Sequence, residues 1–396
     1  MIDSLLRKLT LPVAAPTASQ CRPDGRRLIL ILSVSAGAGH GRAAEALRAH
    51  ADGRDTAILH LDVMDYVPAL FRLIYTKWYL QLVRHYPFAW AWIYRRSHDA
   101  SPVGRVDRAR SWIERSCARV LLREVARLAP DAIVCTHFLP AEVLSRAIIA
   151  GRYRGPVWVQ VTDFDLHRMW VQPEMAGYFV GNDELAFSLR ARGIAADAIH
   201  VTGIPVMPAF RRLPERSACA AELGLDARCA TLVLMGGGAG MGSLEVIAAR
   251  VLAMPQNFQL IVLAGRNLTA LRGLKQLAAR YPGRLVPLGY IADVERPMAC
   301  ADVAITKSGG LSTSECLAMC LPMIINDAIP GQEERNADFL LEQGAAVKAC
   351  DVVMLEYRLT ELFSDPRRLI AMRERCAAIG RPDAAAHALD IVLTHH

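Results

Sequence analysis

The sequence predicts an α/β protein built from two Rossmann-like domains. The chain has 396 residues, 53% of them hydrophobic, which is too long for one ordinary core and suits two domains. Short apolar runs alternate with longer amphipathic stretches, a pattern typical of parallel strands covered by helices on both faces. Residues 28–50 and 230–253 each begin with an apolar strand that enters a glycine-rich turn and then a helix, so each segment is predicted to open one domain.

The predicted strands and boundaries follow from the same pattern. The strands are placed at 28–34, 56–62, 131–135, 156–161, 177–180, 230–235, 259–264, 284–288, 302–305 and 322–325. Three prolines between the halves disfavour regular structure and mark a linker there. The predicted division is an N-terminal lead-in (1–25), a first Rossmann-like domain (26–203), the linker (204–215), a second Rossmann-like domain (216–365), and C-terminal helices (366–396), which are expected to cross back to the first domain.

Charge and cysteine usage limit the partners and the compartment. A net charge of +7 favours anionic partners, which include nucleic acid, anionic lipid heads and phosphorylated substrates, and charge alone does not choose among them. The ten cysteines form no C-x-x-C pair, so reduced thiols in a cytosolic compartment fit better than a zinc or disulfide framework. No apolar run is long enough for a spanning helix and no signal peptide is evident, so we expect the protein to lie on any membrane that it meets.

An aromatic and cationic segment stands out in the first half. All six tryptophans precede residue 171, and residues 71–96 interleave aromatic rings, among them Trp78, Trp90 and Trp92, with arginine, lysine and histidine. Amphipathic rings next to cations suit the interfacial zone of a bilayer. The alternative is that these rings pack in the core of the first domain. A nucleic-acid interface is disfavoured because no known binding module accompanies the segment.

The first glycine-rich turn, residues 35–41, carries a candidate base. It follows a strand, and a helix is predicted over 42–51, so backbone N–H groups and the helix amino end favour an anion. Arg42 breaks the G-x-G-x-x-G dinucleotide pattern, and no P-loop lysine follows. His40 is predicted to project where α/β proteins bind ligands, and its imidazole can take a proton from an acceptor hydroxyl near neutral pH. Alternatively, His40 caps the turn or binds phosphate.

The second glycine-rich turn, residues 236–242, is predicted to approach phosphate closely with its backbone. Because no lysine is present, positive charge is expected from helix dipoles and from Arg266, which follows the next strand. The alternative is a flexible connector.

Polar residues are concentrated between 306 and 338. Glu315 lies on a helix after Ser308 and Gly309, where its carboxylate can accept both hydroxyls of a ribose. Gln332 and Glu333 are predicted at the start of the next helix, where they offer hydrogen bonds to sugar hydroxyls. Taken alone, Glu315 could be a capping or salt-bridged acid, and the other two ordinary first-turn residues.

Three motifs together resemble glycosyltransferase family 28. They are SGGLSTSE at 308–315, PGQEERNA at 330–337 and GAGH at 37–40. The nearest resemblance is to monogalactosyldiacylglycerol synthase and the bacterial diacylglycerol glucosyltransferases, over roughly residues 28–350. It implies a GT-B fold, in which the two Rossmann-like domains face each other across a cleft. It also implies a UDP-sugar held mainly by the second domain, and inversion by a single displacement without a covalent intermediate or a metal.

The resemblance implies a role for each matching position. His40 is the proposed base and Glu315 holds the ribose. The remaining donor-binding positions are the uracil contacts Tyr290 and Ile291, the diphosphate contacts Gly237, Gly238, Ser308 and Gly309, the sugar contacts Gln332 and Glu333, and the buttress Asn336. Helix dipoles would replace a cation at the leaving UDP.

The first half resembles the diacylglycerol-specific branch. The stretch 161–170, VTDFDLHRMW, matches that branch's V-T-D…H…W pattern, so Asp163 and His167 are implied to orient the acceptor or His40, and Gly39 to line the acceptor side. Asp163 could equally be an N-cap, and Trp170 a core ring. The chain departs from the family with Gly37-Ala38-Gly39 in the first turn and Gly203-Ile204-Pro205-Val206 in the hinge, which places it outside the peptidoglycan branch and leaves the sugar open.

The sequence therefore predicts an inverting transferase that passes galactose or glucose from a UDP-hexose to diacylglycerol or a related membrane lipid. It is expected at the cytoplasmic face of the membrane as a peripheral protein, on an anionic surface, with no nucleic acid, metal or further cofactor. The alternatives are an enzyme similar to UDP-N-acetylglucosamine 2-epimerase, which would turn over without lipid, and a non-catalytic nucleotide-sugar-binding membrane protein.

Overall fold

Two six-stranded parallel sheets form the framework of the protein in a computed structural model. The structure describes residues 26–35, 37–51, 54–67, 72, 119–236, 244–326, 328 and 331–395. The segment with Trp78, Trp90 and Trp92, the glycines Gly237 and Gly238, and the lead-in 1–25 lie outside the described residues.

The first sheet has the strand order β2-β1-β3-β4-β5-β6. Its strands are β1 (Arg27–Ser33), β2 (Thr56–Asp62), β3 (Ala132–Cys135), β4 (Val157–Gln160), β5 (Gly177–Phe179) and β6 (Ile199–His200). The helices with printed bounds in this half are α1 (Ala38–Ala49), α2 (Phe138–Ile149) and α3 (Asp183–Arg190), and residues 119–128 are also helical.

The second sheet has the order β12-β11-β10-β7-β8-β9. Its strands are β7 (Thr231–Met235), β8 (Gln259–Leu263), β9 (Leu285–Leu288), β10 (Val303–Thr306), β11 (Met323–Asn326) and β12 (Ala346–Ala349). The helices that follow α3 are α4 (Arg216–Glu222), α5 (Leu244–Leu252), α6 (Leu268–Ala278), α7 (Glu295–Ala299), α8 (Gly310–Ala318), α9 (Gln332–Glu342), α10 (Val352–Ser364), α11 (Pro366–Ile379) and α12 (Ala384–Thr394).

Each sheet reverses its strand order at one point, and this positions the site. In the first sheet the chain moves outward from β1 to β2 and then crosses to β3 on the other side of β1. In the second sheet the same reversal lies between β7 and β10. Ligands of open α/β sheets bind at such points, beyond the carboxyl ends of the strands. We therefore expect the ligand-binding and catalytic residues in the segments that follow β1, β3, β7 and β10.

The C-terminal helix packs on the first sheet. Leu389 and Val392 of α12 belong to the same buried cluster as Ile31 of β1, Leu47 of α1 and Trp158 of β4. The chain thus crosses to the second sheet through the hinge and returns to the first sheet at its end. The hinge itself is partly ordered, since residues Pro208–Arg211 form a 3-10 turn and Phe210 is buried in the core of the second half.

The structure corrects one predicted helix boundary and adds two strands to the predicted set. Helix α1 begins at Ala38 rather than at residue 42, so Gly39 and His40 lie in its first turn and not in the preceding loop. Strands β6 and β12 are not predicted from the sequence, because β6 has two residues and β12, AVKA, mixes buried and exposed positions.

Across the described residues, no helix combines the length and the apolar character that crossing a membrane requires.

Candidate active site between the two sheets

His40 lies at the reversal point of the first sheet. Its Nδ1 is 2.9 Å from the carbonyl oxygen of Thr136, which directly follows β3, and 2.9 Å from Oγ1 of Thr162. A carbonyl oxygen only accepts, so Nδ1 carries the proton in the neutral ring. Nε2 is then left with a free lone pair, and within the described part of the chain no hydrogen bond to it is found. This is the tautomer that a general base requires.

The surroundings of His40 keep its ring neutral at physiological pH. Burial lowers the pKa of His40, and the negative charge of Asp163 and the bond to Thr136 oppose that effect. The ring of His137 stands edge-on to that of His40 at a centroid distance of 4.6 Å, and Trp170 lies at 6.2 Å. Burial and the nearby His40 also lower the pKa of His137, so a second cation beside His40 is disfavoured.

Asp163 connects this centre to the second half of the chain. It is buried, and its Oδ1 accepts from Nε2 of Gln332 and, at 3.4 Å, from Nδ2 of Asn336. Burial raises the pKa of Asp163, whereas the donors from Gln332, Asn336 and Trp170 and the nearby His40 oppose that rise. Asp163 therefore serves as an acceptor for side chains of helix α9, and not as the helix N-cap that was one alternative.

Asn336 joins three parts of the site. It is fully buried, its Oδ1 accepts from the backbone N–H of Phe164 at 2.8 Å, and its Nδ2 donates to the carbonyl of Ser308 at 3.0 Å. The rings of Phe164 and Phe339 stack beside these bonds at 5.0 Å. The loop after β4 is thus bonded to both the loop after β10 and the helix α9.

The amino end of helix α8 lies against the first half. A Cβ placed on Gly310 would lie 2.0 Å from the carbonyl oxygen of Thr162, so only glycine fits there. Ser308 is buried, and its hydroxyl donates to the carbonyl of Glu333 at 2.5 Å. Gly309 at the N-cap of α8 makes no side-chain capping bond, so within the described residues the first N–H groups of this helix can serve water or a ligand.

Glu315 is buried in helix α8 with 6% of its surface exposed. Among the described residues no hydrogen bond or ion pair to its carboxylate is found, and Gly309 occupies the N-cap of this helix, so the described residues support neither a capping nor a salt-bridged role. Burial raises the pKa of Glu315 to about 7; the positive charge of Arg42 lowers it and the charge of Glu295 raises it. A buried acid without donors is suited to receive them from a ligand.

Tyr290 and Arg266 lie together after neighbouring strands. The Arg266 guanidinium lies 5.0 Å from the centre of the Tyr290 ring, and Tyr290 is 64% exposed. Ile291 is half-buried and packs against the core of the second half. Arg266 and Tyr290 therefore lie at the carboxyl edge of β8 and β9, which is where a donor contact is expected.

The structure brings together His40, Asp163, Ser308, Gln332, Glu333 and Asn336 by direct contacts or through one shared partner. His167 is placed differently, because its Nδ1 accepts from the backbone of Met169 at 3.3 Å and caps the turn Arg168–Trp170. Its role toward the acceptor, like that of Gly39, remains a prediction. Trp170 is buried, as in the core alternative.

Three residues of the site were not predicted. Thr136 and Thr162 hold the His40 ring, and His137 packs against it. Each follows a buried strand of the first sheet within a few residues, where ligands of α/β proteins bind, but this position alone does not distinguish them from other residues after strands. Within the described ranges, no group of three or more His, Cys, Asp or Glu side chains could hold a metal ion.

The comparisons agree with the predicted resemblance. The family described as monogalactosyldiacylglycerol (MGDG) synthase matches residues 40–206. The processive diacylglycerol beta-glucosyltransferase of Bacillus cytotoxicus is 30% identical over 239 residues, which are 60% of this chain and 61% of that protein. The protein of the same name from Bacillus pumilus is 28% identical over 256 residues, 63% of this chain and 65% of that protein. The chain thus matches less than two thirds of the length of these relatives, and over that length the resemblance is confirmed.

Solved structures confirm the fold. The chain superposes on MurG of Acinetobacter baumannii with a TM-score of 0.59 at 14% identity, over 93% of this chain and 100% of that one. It also superposes on the UDP complex of MnaA from S. aureus with a TM-score of 0.61 at 14% identity, over 92% and 96% of the two chains. The predicted GT-B architecture is therefore correct.

Proposed function

We propose that the protein is an inverting glycosyltransferase that passes a hexose from a UDP-sugar to diacylglycerol or a related membrane lipid. The observation that carries this proposal is the contact between the halves. There His40, with its Nε2 lone pair free, lies beside Asp163, which is bonded to Gln332 of the second half. A base from one sheet and sugar-binding side chains from the other then meet at one place.

His40 would act as the general base. Its Nε2 takes the proton of the acceptor hydroxyl while that oxygen attacks the anomeric carbon of the donor. The bond from this carbon to the UDP oxygen breaks, and UDP leaves with the electron pair. The bonds of Nδ1 to Thr136 and Thr162 hold the ring in the required tautomer, and the Asp163 charge stabilises the imidazolium that forms.

The second half would hold the donor. Glu315 accepts the ribose hydroxyls, Gln332 and Glu333 bind the hexose, and Ser308 and Gly309 at the start of α8 stabilise the leaving diphosphate. Tyr290, Ile291 and Arg266 would bind at the uracil and phosphate side, together with Gly237 and Gly238. In this proposal helix dipoles and arginine supply the positive charge, and no metal is used.

The lipid acceptor is inferred from the relatives and from the composition. The curated relatives are named as diacylglycerol glucosyltransferases, and the chain has a net charge of +7. The aromatic and cationic segment 71–96 suits a bilayer interface. We infer that the protein binds an anionic membrane surface at its cytoplasmic face as a peripheral protein, and that the segment with Trp78, Trp90 and Trp92 makes the contact.

A substrate screen tests the proposal. The purified chain is incubated with radiolabelled UDP-glucose or UDP-galactose and liposomes that contain diacylglycerol, ceramide or a polyprenyl phosphate. The expected result is label in the chloroform-extractable fraction with diacylglycerol, joined by a β linkage that shows inversion of the α-linked donor. Absence of a lipid product with every UDP-hexose would contradict the proposal. Conversion of UDP-N-acetylglucosamine without lipid would favour the epimerase alternative instead.

A further inference from the structure

Arg42 crosses from the first half to the second. It belongs to helix α1, two residues after His40, yet its Nη2 donates to the carbonyl of Ala292 at 3.1 Å. Its Nη1 lies 3.3 Å from the Glu45 carboxylate on the same helix, and 22% of its side chain is exposed. The guanidinium is thus held at two points between the halves.

Both ends of this contact lie at the proposed nucleotide site. Ala292 directly follows Tyr290 and Ile291, the residues assigned to uracil, so Arg42 holds the loop that carries them. Arg42 is also the cation whose charge acts most strongly on Glu315, the acid assigned to the ribose. The Glu315 carboxyl is buried, so a positive charge near it acts more strongly than it would in water.

We propose that Arg42 is a positioning residue of the nucleotide site, contributed by the acceptor half, which ties the loop after β9 to helix α1 and supplies positive charge to the Glu315 carboxyl. This inference rests on the proposed function. It differs from a donor contact, because Arg42 acts through Glu315 and Ala292. It also means that the nucleotide site is complete only when the two halves are together.

The charged and titratable groups around Glu315 define what a pH experiment reports. They are Arg42 from α1, Glu295 from α7 and the neighbouring Cys316 thiol on α8. Burial raises the pKa of Cys316 well above its usual range, so this thiol stays neutral near physiological pH. The pKa of Glu315 is about 7, and loss of the Arg42 charge raises it further. The ionised carboxylate is the better acceptor for two hydroxyls, so nucleotide affinity rises with pH through this range.

Calorimetric titration with UDP between about pH 6.5 and 8.5 separates this role from a structural one. Arg42→Met is expected to weaken UDP binding on the order of tenfold near neutral pH, and the deficit relative to wild type should shrink as the pH rises. The ratio of variant to wild type cancels the titration of UDP itself. Arg42→Lys keeps the charge and should restore most of the affinity. Arg48→Met, an exposed arginine of the same helix, is the matched control and should bind like wild type.

A double-mutant cycle with Glu315→Gln gives the decisive outcome. If Arg42 acts through the carboxylate, Arg42→Met should cost much less in the Glu315→Gln background than in wild type. UDP affinity of Arg42→Met equal to that of wild type would overturn the inference. An equal cost in both backgrounds, or a deficit of the same size at every pH, would overturn the part that assigns the Arg42 charge to Glu315. Each of these outcomes leaves the proposed function intact. Absence of UDP binding by the wild-type protein would instead count against the proposed function.

Discussion

The carbonyl oxygen of Thr136 and Nδ1 of His40 lie 2.9 Å apart, although 96 residues separate them in the sequence. This bond fixes the proton on Nδ1 and leaves Nε2 as the reactive atom of the ring. Thr162, in the loop after β4, contacts the same nitrogen. The imidazole is thus oriented by backbone and hydroxyl groups of the first half alone, and this orientation has consequences for the rate and its pH dependence.

The pH dependence of transfer should be that of a base, His40, which is unprotonated at neutral pH. Burial lowers the pKa of His40 below 6.5, so Nε2 is unprotonated at neutral pH and is lost as a base only when the pH falls below that value. We expect kcat, measured at saturating donor to avoid the titration of Glu315, to be level near pH 7 and to fall on the acid side below 6.5. An acid limb centred well above pH 7 would contradict this assignment.

Asp163→Asn should move that limb as well as lower the rate. The Asp163 charge raises the pKa of His40, so its removal shifts the acid limb to lower pH. Loss of support for the imidazolium should reduce kcat by about 10² to 10⁴ fold. The measurement is the full pH profile of the variant beside that of wild type. A lower rate with an unmoved limb would mean that Asp163 acts only on the architecture of the loop.

Asn336→Ala should destabilise the protein and impair transfer together. The substitution leaves the N–H of Phe164 and the carbonyl of Ser308 without their buried partner, at a cost of about 1–3 kcal/mol each. Thermal unfolding is expected at a clearly lower temperature. Asp338→Ala, at an exposed position of the same helix, is the control and should unfold like wild type. Equal melting temperatures for both variants would contradict the bonding seen here.

Gly310→Ala should impair transfer by moving the two halves of the protein apart. Its new Cβ would lie 2.0 Å from the Thr162 carbonyl oxygen, so the two backbones must move apart by about 1 Å or more. Because displacements of this size misalign donor and base, we expect transfer to fall on the order of 10²-fold. Gly309→Ala adds the same methyl group where nothing lies within 4 Å, and serves as the control for unfolding temperature. Full activity of Gly310→Ala would argue against the close contact of the halves.

The fold could be predicted because buried parallel strands are recognisable without their neighbours. The segment LILILS of β1 and the segment QLIVL of β8 are apolar almost throughout, so both faces had to be covered. The two-residue strand β6 carries no such pattern and exists only through its pairing with β5. The start of α1 was misplaced because glycine argues for a turn, whereas Gly39 and Gly41 are accommodated within this helix.

Only those residues of the site whose side-chain type or motif indicates a function could be predicted from the sequence. His40, Asp163 and Glu315 could be proposed from residue type and motif. Thr136 and Thr162 could not, since a threonine after a strand is commonplace and only the folded sheet places both beside the imidazole. The cross-sheet role of Arg42 was equally hidden, because its partner Ala292 lies 250 residues away and offers only a backbone carbonyl.

Whether His40 is the general base is tested by comparing wild type with His40→Ala in one experiment that measures both hexose transfer and UDP affinity. We expect the rate of hexose transfer to diacylglycerol liposomes to fall by about 10² to 10⁴ fold, with UDP affinity essentially unchanged because Glu315 and its neighbours remain in place. A His40→Ala protein that transfers hexose at the wild-type rate would show that the imidazole is not the base.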